Sequence, residues 1–199
     1  MVASILSIDS LINKIKKCKK CRHLVKYQPV FSPIKNAQIL IIGQAPGKKE
    51  NELTIPFVGP AGKKLFSWFQ EIGLSEKEIR EKIYITQVIK CYLGSNRSPK
   101  AFELKNCLPY LHSEIKLLKP KLIIPVGILA IQAVLGKKRM DEVVGNIFHW
   151  KDSLIIPLPH PSGANVWLNK KENQKKLKEA LGKIKIILKQ RTLLSKNLF

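Results

Sequence analysis

Four cysteines, a histidine boxed between prolines and one loop rich in glycine are the residues of this chain whose types and spacing could do chemistry. Cys18-Lys-Lys-Cys21 places two thiols within one turn; Cys91 and Cys107 follow, giving C-x2-C, then 69 residues, then C-x15-C. Thiols spaced this way suit a metal or cluster and seldom a core, and the set could hold zinc or an iron–sulfur cluster, between which spacing does not choose. Residues 38–62 read QILIIGQAPGKKENELTIPFVGPAG, an apolar strand-like run that breaks at Gly43 into a loop of glycine and proline. Gly43 and Gly47 let the main chain approach a ligand and turn N–H groups toward it, and Phe57 offers a flat face. A planar, hydrogen-bonding guest fits such a pocket at a strand end, although two glycines also serve many plain strand-to-helix turns. His160, in Pro159-His160-Pro161-Ser162, stands at the end of another strand-like run.

The elements that must position these residues alternate. Residues 1–17 have helical spacing through Ile5, Ile8, Leu11, Ile12 and Ile15, and a loop with Pro29 and Pro33 leads into a strand at 38–42. After Gly62 a helix carries Leu65, Trp68, Phe69 and Ile72 to Gly73, and Ser75-Glu-Lys-Glu78 opens a short helix with a capping box. Residues 83–91, IYITQVIKC, read as a buried parallel strand. A helix follows from Pro99 at its first position to Lys119, then a strand at 121–126, a helix at 128–135 and a strand at 153–158. Leu177, Leu181, Ile184 and Leu188 mark a last basic helix before a tail beyond Arg191. This order predicts an α/β fold, a three-layer sandwich with a central, mainly parallel four-stranded sheet flanked by helices. In such sheets ligands bind at the carboxyl ends of the strands, where Gln44, Gln87, the Asn96 loop and His160 are expected to converge. The organisation expected is one domain over 1–199: a helix and cysteine pair at 1–36, a core at 37–190 and a tail at 191–199.

Among 199 residues, 36 Lys and Arg stand against 14 Asp and Glu, a net charge of +22 with pI near 10.0. That excess repels itself unless a polyanion offsets it, which makes nucleic acid the first partner to consider and a merely solvated lysine surface the alternative. No signal-peptide pattern follows Met1, and no apolar run reaches the ~20 residues of a membrane span. A cytoplasmic monomer without membrane contact and without disulfides is expected.

Taken together, the motifs resemble the iron–sulfur uracil-DNA glycosylases often called family 4. The resemblance rests on Gly43-Gln-Ala-Pro-Gly47, Glu50, Pro56-Phe-Val-Gly59 with Ala61-Gly62, Tyr84-Ile-Thr-Gln-Val-Ile-Lys-Cys91, Asn96-Arg97 with Pro99, Cys107-Leu-Pro-Tyr110, Pro120-Lys121 and His160-Pro-Ser162, in the family's order over residues 18–190. It implies a monofunctional glycosylase that flips uracil out of single- or double-stranded DNA and excises it by hydrolysis. It further implies a [4Fe–4S] cluster held by Cys18, Cys21, Cys91 and Cys107. By position, Phe57 would stack on the flipped base, the backbone at Gln44 and Ala45 and the amide of Gln87 would contact it, and His160 would donate to its oxygen. Val166, Trp167 and Leu168, just beyond His160, offer a wedge for the duplex. Two positions depart from the family: Gln44 stands where an acidic residue usually serves the attacking water, and Gln87 where the family has Asn. These leave a wider range of deaminated bases (hypoxanthine, xanthine) and a non-catalytic nucleic-acid-binding protein as alternative functions.

Overall fold

The computed structural model describes residues 7–21, 23–24, 28–32, 34–95 and 97–190. Strands β1 (Ile39–Gly43), β2 (Tyr84–Gln87) and β3 (Leu122–Pro125) are buried along their whole length. With β4 (Phe148–Trp150) and β5 (Ser153–Ile155) they form a sheet in the order β2-β1-β3-β5-β4. Four strands run parallel, as their continuous Ile and Leu runs require of a sheet covered on both faces.

On one face Ile39, Ile41, Ile85 and Ile124 pack with Leu65, Phe66 and Phe69 of α3 (Pro60–Glu71) and with Leu181 and Ile184 of α8 (Lys171–Gln190). On the other, Leu40, Ile42, Tyr84 and Ile123 meet Leu111 and Ile115 of α5 (Ala101–Leu118) and Ala130 of α6 (Ile128–Leu135). The helix α1 (Ile8–Lys16) lays Leu11 and Ile15 against Tyr110 of α5. Short helices α2 (Lys48–Leu53), α4 (Glu76–Lys82) and α7 (Met140–Val143) complete the set, and α4 carries the capping box expected at Ser75 and Glu78. Among the described residues no helix is long and apolar enough to cross a membrane.

Three expectations are corrected. The sheet has five strands: β4 is an antiparallel edge strand joined to β5 through Lys151 and Asp152, with Lys151 at φ 53°. That tight turn lacks the Asn-Gly or Asp-Gly pair that marks a hairpin in sequence, so its strand went unmarked. The second strand ends at Gln87 instead of Cys91, because its partner β1 ends at Gly43; beyond that point single bonds, Val88 N–H to Gly43 O and Ile89 N–H to Gln44 O, hold the chain. Lastly, α5 starts at Ala101 rather than Pro99, with the Lys100 N–H capped by Glu103 Oε2 at 2.6 Å. The expected tail at 191–199 lies outside the described residues, as do residues 1–6 of the expected first helix.

Inside the fold, Lys90 and Glu114 are buried together. The ammonium donates to Glu114 Oε2 at 2.6 Å, to Thr86 Oγ1 at 2.7 Å and to the Gln87 carbonyl at 2.7 Å, so all three of its protons are used. Glu114 Oε1 also accepts from the Tyr84 hydroxyl at 3.0 Å, whose own ionisation is suppressed by burial and by that carboxylate. This network ties α5 to the end of β2. Breaking one side of such a pair strands a buried charge, which typically costs ~3–5 kcal/mol, whereas replacing both sides can be nearly neutral. Urea unfolding of Lys90→Met is therefore expected to show a loss of about that size, and Lys90→Met with Glu114→Leu a smaller one; equal losses would place the stabilisation outside the ion pair.

Candidate active site

The carboxyl ends of the four parallel strands lie in one row. Gly43 pairs with Gln87 across β1 and β2, Val126 bridges to Leu158 beyond β3 and β5, and the Gly127 N–H donates to Leu158 O at 2.9 Å. Three of these ends present residues singled out by sequence, Gly43 and Gln44 at the end of β1, Gln87 on β2 and His160 beyond β5, while the end of β3 presents Gly127. A Cβ on Gly43 would stand 2.8 Å from Phe57 Cζ and 3.3 Å from Gln87 Cγ, so the phenyl ring and the glutamine chain share the floor that glycine leaves open. One strand over, a Cβ on Gly127 would stand 3.1 Å from His160 Cδ2 and 3.2 Å from its Cβ, and Gly127 is at φ +86°. Glycine at both positions is thus a close-approach requirement. Gln87 is 2% exposed and its Oε1 has no hydrogen-bond partner among the described residues. A buried amide oxygen left open beside an aromatic ring is poised for a ligand donor.

Phe57 holds its place against its own backbone preference, at φ 54° in the left-handed region. Its carbonyl rests where a side chain at position 62 would be: a Cβ on Gly62 would meet Phe57 O at 1.9 Å. Glu50, also buried, closes the loop by accepting the Gly59 N–H on Oε1 at 2.7 Å, with its carboxylate packed against Gly47 and Gly59. Behind the ring, Arg80 of α4 donates to the carbonyls of Pro56 and Phe57 at 3.0 and 3.2 Å.

The ring of His160 has a defined tautomer. Its Nδ1 lies 3.2 Å from the Ser162 backbone N–H, which can only donate, and 2.9 Å from Ser162 Oγ. Nδ1 is therefore the acceptor, and the neutral ring carries its proton on Nε2, ready to be donated. Burial holds its pKa below the ordinary histidine value, which favours that neutral form. Asn165 fixes the following turn: its amide donates to His160 O at 2.7 Å and its Oδ1 accepts the Trp167 N–H at 3.2 Å.

Cys18, Cys21, Cys91 and Cys107 all line one cavity, walled by Ile89 and Leu93, and none forms a disulfide. Burial, with a further push from the other three sulfurs, raises the Cys91 thiol to about 12. The four do not converge on one point: among the described residues no three Cys, His, Asp or Glu side chains gather as a single ion would require. Glu103 braces the wall. Its buried carboxylate takes two bonds from Arg97, at 2.8 and 2.6 Å, and one from His23, at 2.7 Å, two residues beyond Cys21. Arg97 foremost, with the Lys100 N–H and His23 contributing, holds its pKa at about 2 against the opposing pull of burial.

The remaining sequence choices separate. Gln44 is half-buried at the rim, with its main-chain carbonyl bonded to the Ile89 N–H. Ala45 packs against the cluster of Cys21, Leu24, Ile89, Leu93 and Cys107. Of the three wedge residues Val166 is 75% exposed, whereas Trp167 Nε1 donates to Asp141 at 2.6 Å and Leu168 packs against the main core. Asn96 lies outside the described residues. His112 and His149 are on the surface, and His23 serves Glu103. Arg80, Glu103 and Ser162 were given no role by sequence: Arg80 meets the Phe57 loop and Glu103 meets His23 only through the fold, whereas Ser162 meets His160 two residues away, a local contact that the Pro-His-Pro-Ser run could have suggested; the Ser75 capping box that places α4 was the one local hint of Arg80.

The model of the uracil DNA glycosylase superfamily matches residues 29–185. The type-4 uracil-DNA glycosylase of Sulfurisphaera tokodaii is 34% identical over 157 residues, 72% of this chain and 70% of the relative, and that of Saccharolobus solfataricus 36% over 166 residues, 76% and 75%. A type-5 uracil-DNA glycosylase of Pyrobaculum aerophilum is 29% identical over 191 residues, 79% and 84%. With its strand-end rim and its four cysteines in place, the chain belongs to the uracil DNA glycosylase superfamily, among the type-4 enzymes.

Proposed function

We propose that this chain excises uracil from DNA by hydrolysing the N-glycosidic bond, acting as a cytoplasmic monomer. The observation that carries the reading is the open, buried Oε1 of Gln87 beside the ring of Phe57. Uracil extruded from the stack brings a flat face for Phe57 and a ring N–H for that oxygen, and the Gln87 amide nitrogen can donate to the adjacent carbonyl. The extra methylene of Gln87, compared with the family's asparagine, lies along Gly43, where its Cγ is accommodated without filling the space above.

In this reading His160 supplies the main electrostatic help. As the glycosidic bond lengthens, negative charge gathers on the uracil oxygens and positive charge on the sugar. Nε2–H of His160 donates to the developing anion, and the nearby phosphates offset the sugar. Water adds to the sugar carbon while held by neutral groups, with Gln44 at the rim as its partner, and its proton passes to solvent. Val166, the exposed residue of the wedge segment, enters the duplex, and exposed lysines on the surface of α8, among them Lys171, Lys175 and Lys178, lie along the phosphates.

The cysteine cavity fits the [4Fe–4S] group of the proposal by its donor set: four free thiols line one cavity with largely apolar walls. Cys18, Cys21, Cys91 and Cys107 would hold it, so that the N-terminal segment, the stretch just beyond β2 and α5 would be joined at one place. Chain purified without oxygen is expected to carry about four irons per molecule and the broad visible absorbance of such a cluster. Stoichiometric zinc in a colourless protein would contradict this.

A donor to a developing oxyanion is typically worth a factor of ~10²–10³, and base assistance to water ~10²–10⁴. Single-turnover excision from uracil-, hypoxanthine- and xanthine-containing oligonucleotides tests the reading: wild type is expected to release uracil, and His160→Ala to be slower by at least about a hundredfold. Because the working ring is neutral and its pKa is lowered, the rate should stay level as pH falls through the ordinary histidine range and drop only below it. Gln44→Glu separates two roles, a rise in rate if position 44 serves only water and a fall if its amide touches the base. Uracil release by His160→Ala at the wild-type rate would overturn the site, and binding without release of any base would favour the non-catalytic alternative.

A further inference from the structure

We propose that Arg80 is the residue that positions Phe57, acting on its backbone from behind; the inference rests on the reading of Phe57 as the surface against which the base stacks. Arg80 lies in α4, outside every motif that marks the site, and its guanidinium is committed on each side. Nη1 donates to Pro56 O at 3.0 Å and Nη2 to Phe57 O at 3.2 Å. Nε donates to Glu76 Oε1 at 2.8 Å, one turn earlier on the same helix. The guanidinium carbon sits 4.8 Å from the centroid of the Phe66 ring, and Phe66 meets Phe57 edge-on, centroids 6.5 Å apart and planes at 65°.

The left-handed turn at Phe57 creates the need for this residue. It swings the carbonyl of the buried Phe57 inward onto Gly62, and a buried carbonyl turned this way calls for a donor from the protein. Arg80 supplies two donors in one plane, satisfies consecutive carbonyls and stacks on the ring that abuts Phe57. Glu76 holds the fork in register from the solvent side. A lysine could bond one carbonyl but has no planar fork to span two while sitting over Phe66. Without the fork, the strained conformer at position 57 loses its main compensation and the phenyl ring leaves its place over Gly43.

The consequence is a defined coupling between two residues, only one of which faces the pocket. Arg80→Met is expected to reduce single-turnover uracil excision by about tenfold, chiefly through weaker base capture. Arg80→Lys should recover little of it. In the Phe57→Ala background, which is itself impaired, adding Arg80→Met should change the rate by less than about twofold. Cooperative urea unfolding and iron content are measured for each variant, and Glu76→Gln, which loosens the fork without removing it, gives a milder loss that also vanishes with Phe57→Ala if Arg80→Met does not fold. A full tenfold loss that persists in Phe57→Ala would make Arg80 a general structural residue and overturn the proposal. Excision by Phe57→Ala at the wild-type rate would instead remove the stacking role on which it rests.

Discussion

The left-handed seat of Phe57 is the constraint on which the strand-end rim depends. A non-glycine residue at φ 54° is stable only where its surroundings leave it no alternative. Three features do so: Gly62 yields the space that the carbonyl fills, Glu50 ties the loop shut at Gly59, and Arg80 bonds the inward-facing carbonyls. The ring then lies against bare Gly43, next to Gln87, at the point where two parallel strands end in register. A pocket of this kind is backbone geometry made rigid, and its polar side chains can be few.

Charge is distributed to the same end. Of the 14 carboxylates in the chain, Glu50, Glu103 and Glu114 are buried, each joining separate segments: a loop to itself, the cysteine segment to α5, and α5 to β2. Acidic residues placed inside are unavailable to neutralise the surface, which strengthens the outward positive field that a polyanion meets. Two lysines of the last helix are held in place by the fold, Lys176 donating to Asp141 O and Lys183 to Gly145 O, and both keep their charge. The proposed chemistry correspondingly uses neutral side chains: a neutral histidine donor and two glutamines stand where carboxylates would repel both DNA and a departing anion.

Much of this was legible in the residues before the fold. Continuous runs such as Ile39–Ile42 and Leu122–Ile124 announce buried parallel strands because no other environment tolerates apolar side chains on both faces. Cys18 and Cys21, separated by only two residues, and His160 between prolines are local patterns with a local meaning. What stayed hidden depends on distant partners. Arg80 reads as one more charge on a short surface helix until α4 is packed against the Phe57 loop. Glu103 looks like a capping residue, and its bonds to Arg97 and His23 exist only because three segments meet there. The wedge segment looked uniform in sequence, yet burial separates exposed Val166 from Trp167, held by Asp141, and Leu168, held by the core.

Gly62→Ala tests the seat most directly, because the added methyl would stand 1.9 Å from the Phe57 carbonyl oxygen and can be housed only if Phe57 moves. The measurement is single-turnover uracil excision by this variant beside Phe57→Ala, with unfolding and bound iron followed on the same samples. A folded, iron-bearing Gly62→Ala protein as impaired as Phe57→Ala would agree with a pocket made by that backbone geometry. Wild-type excision by the folded variant would contradict it.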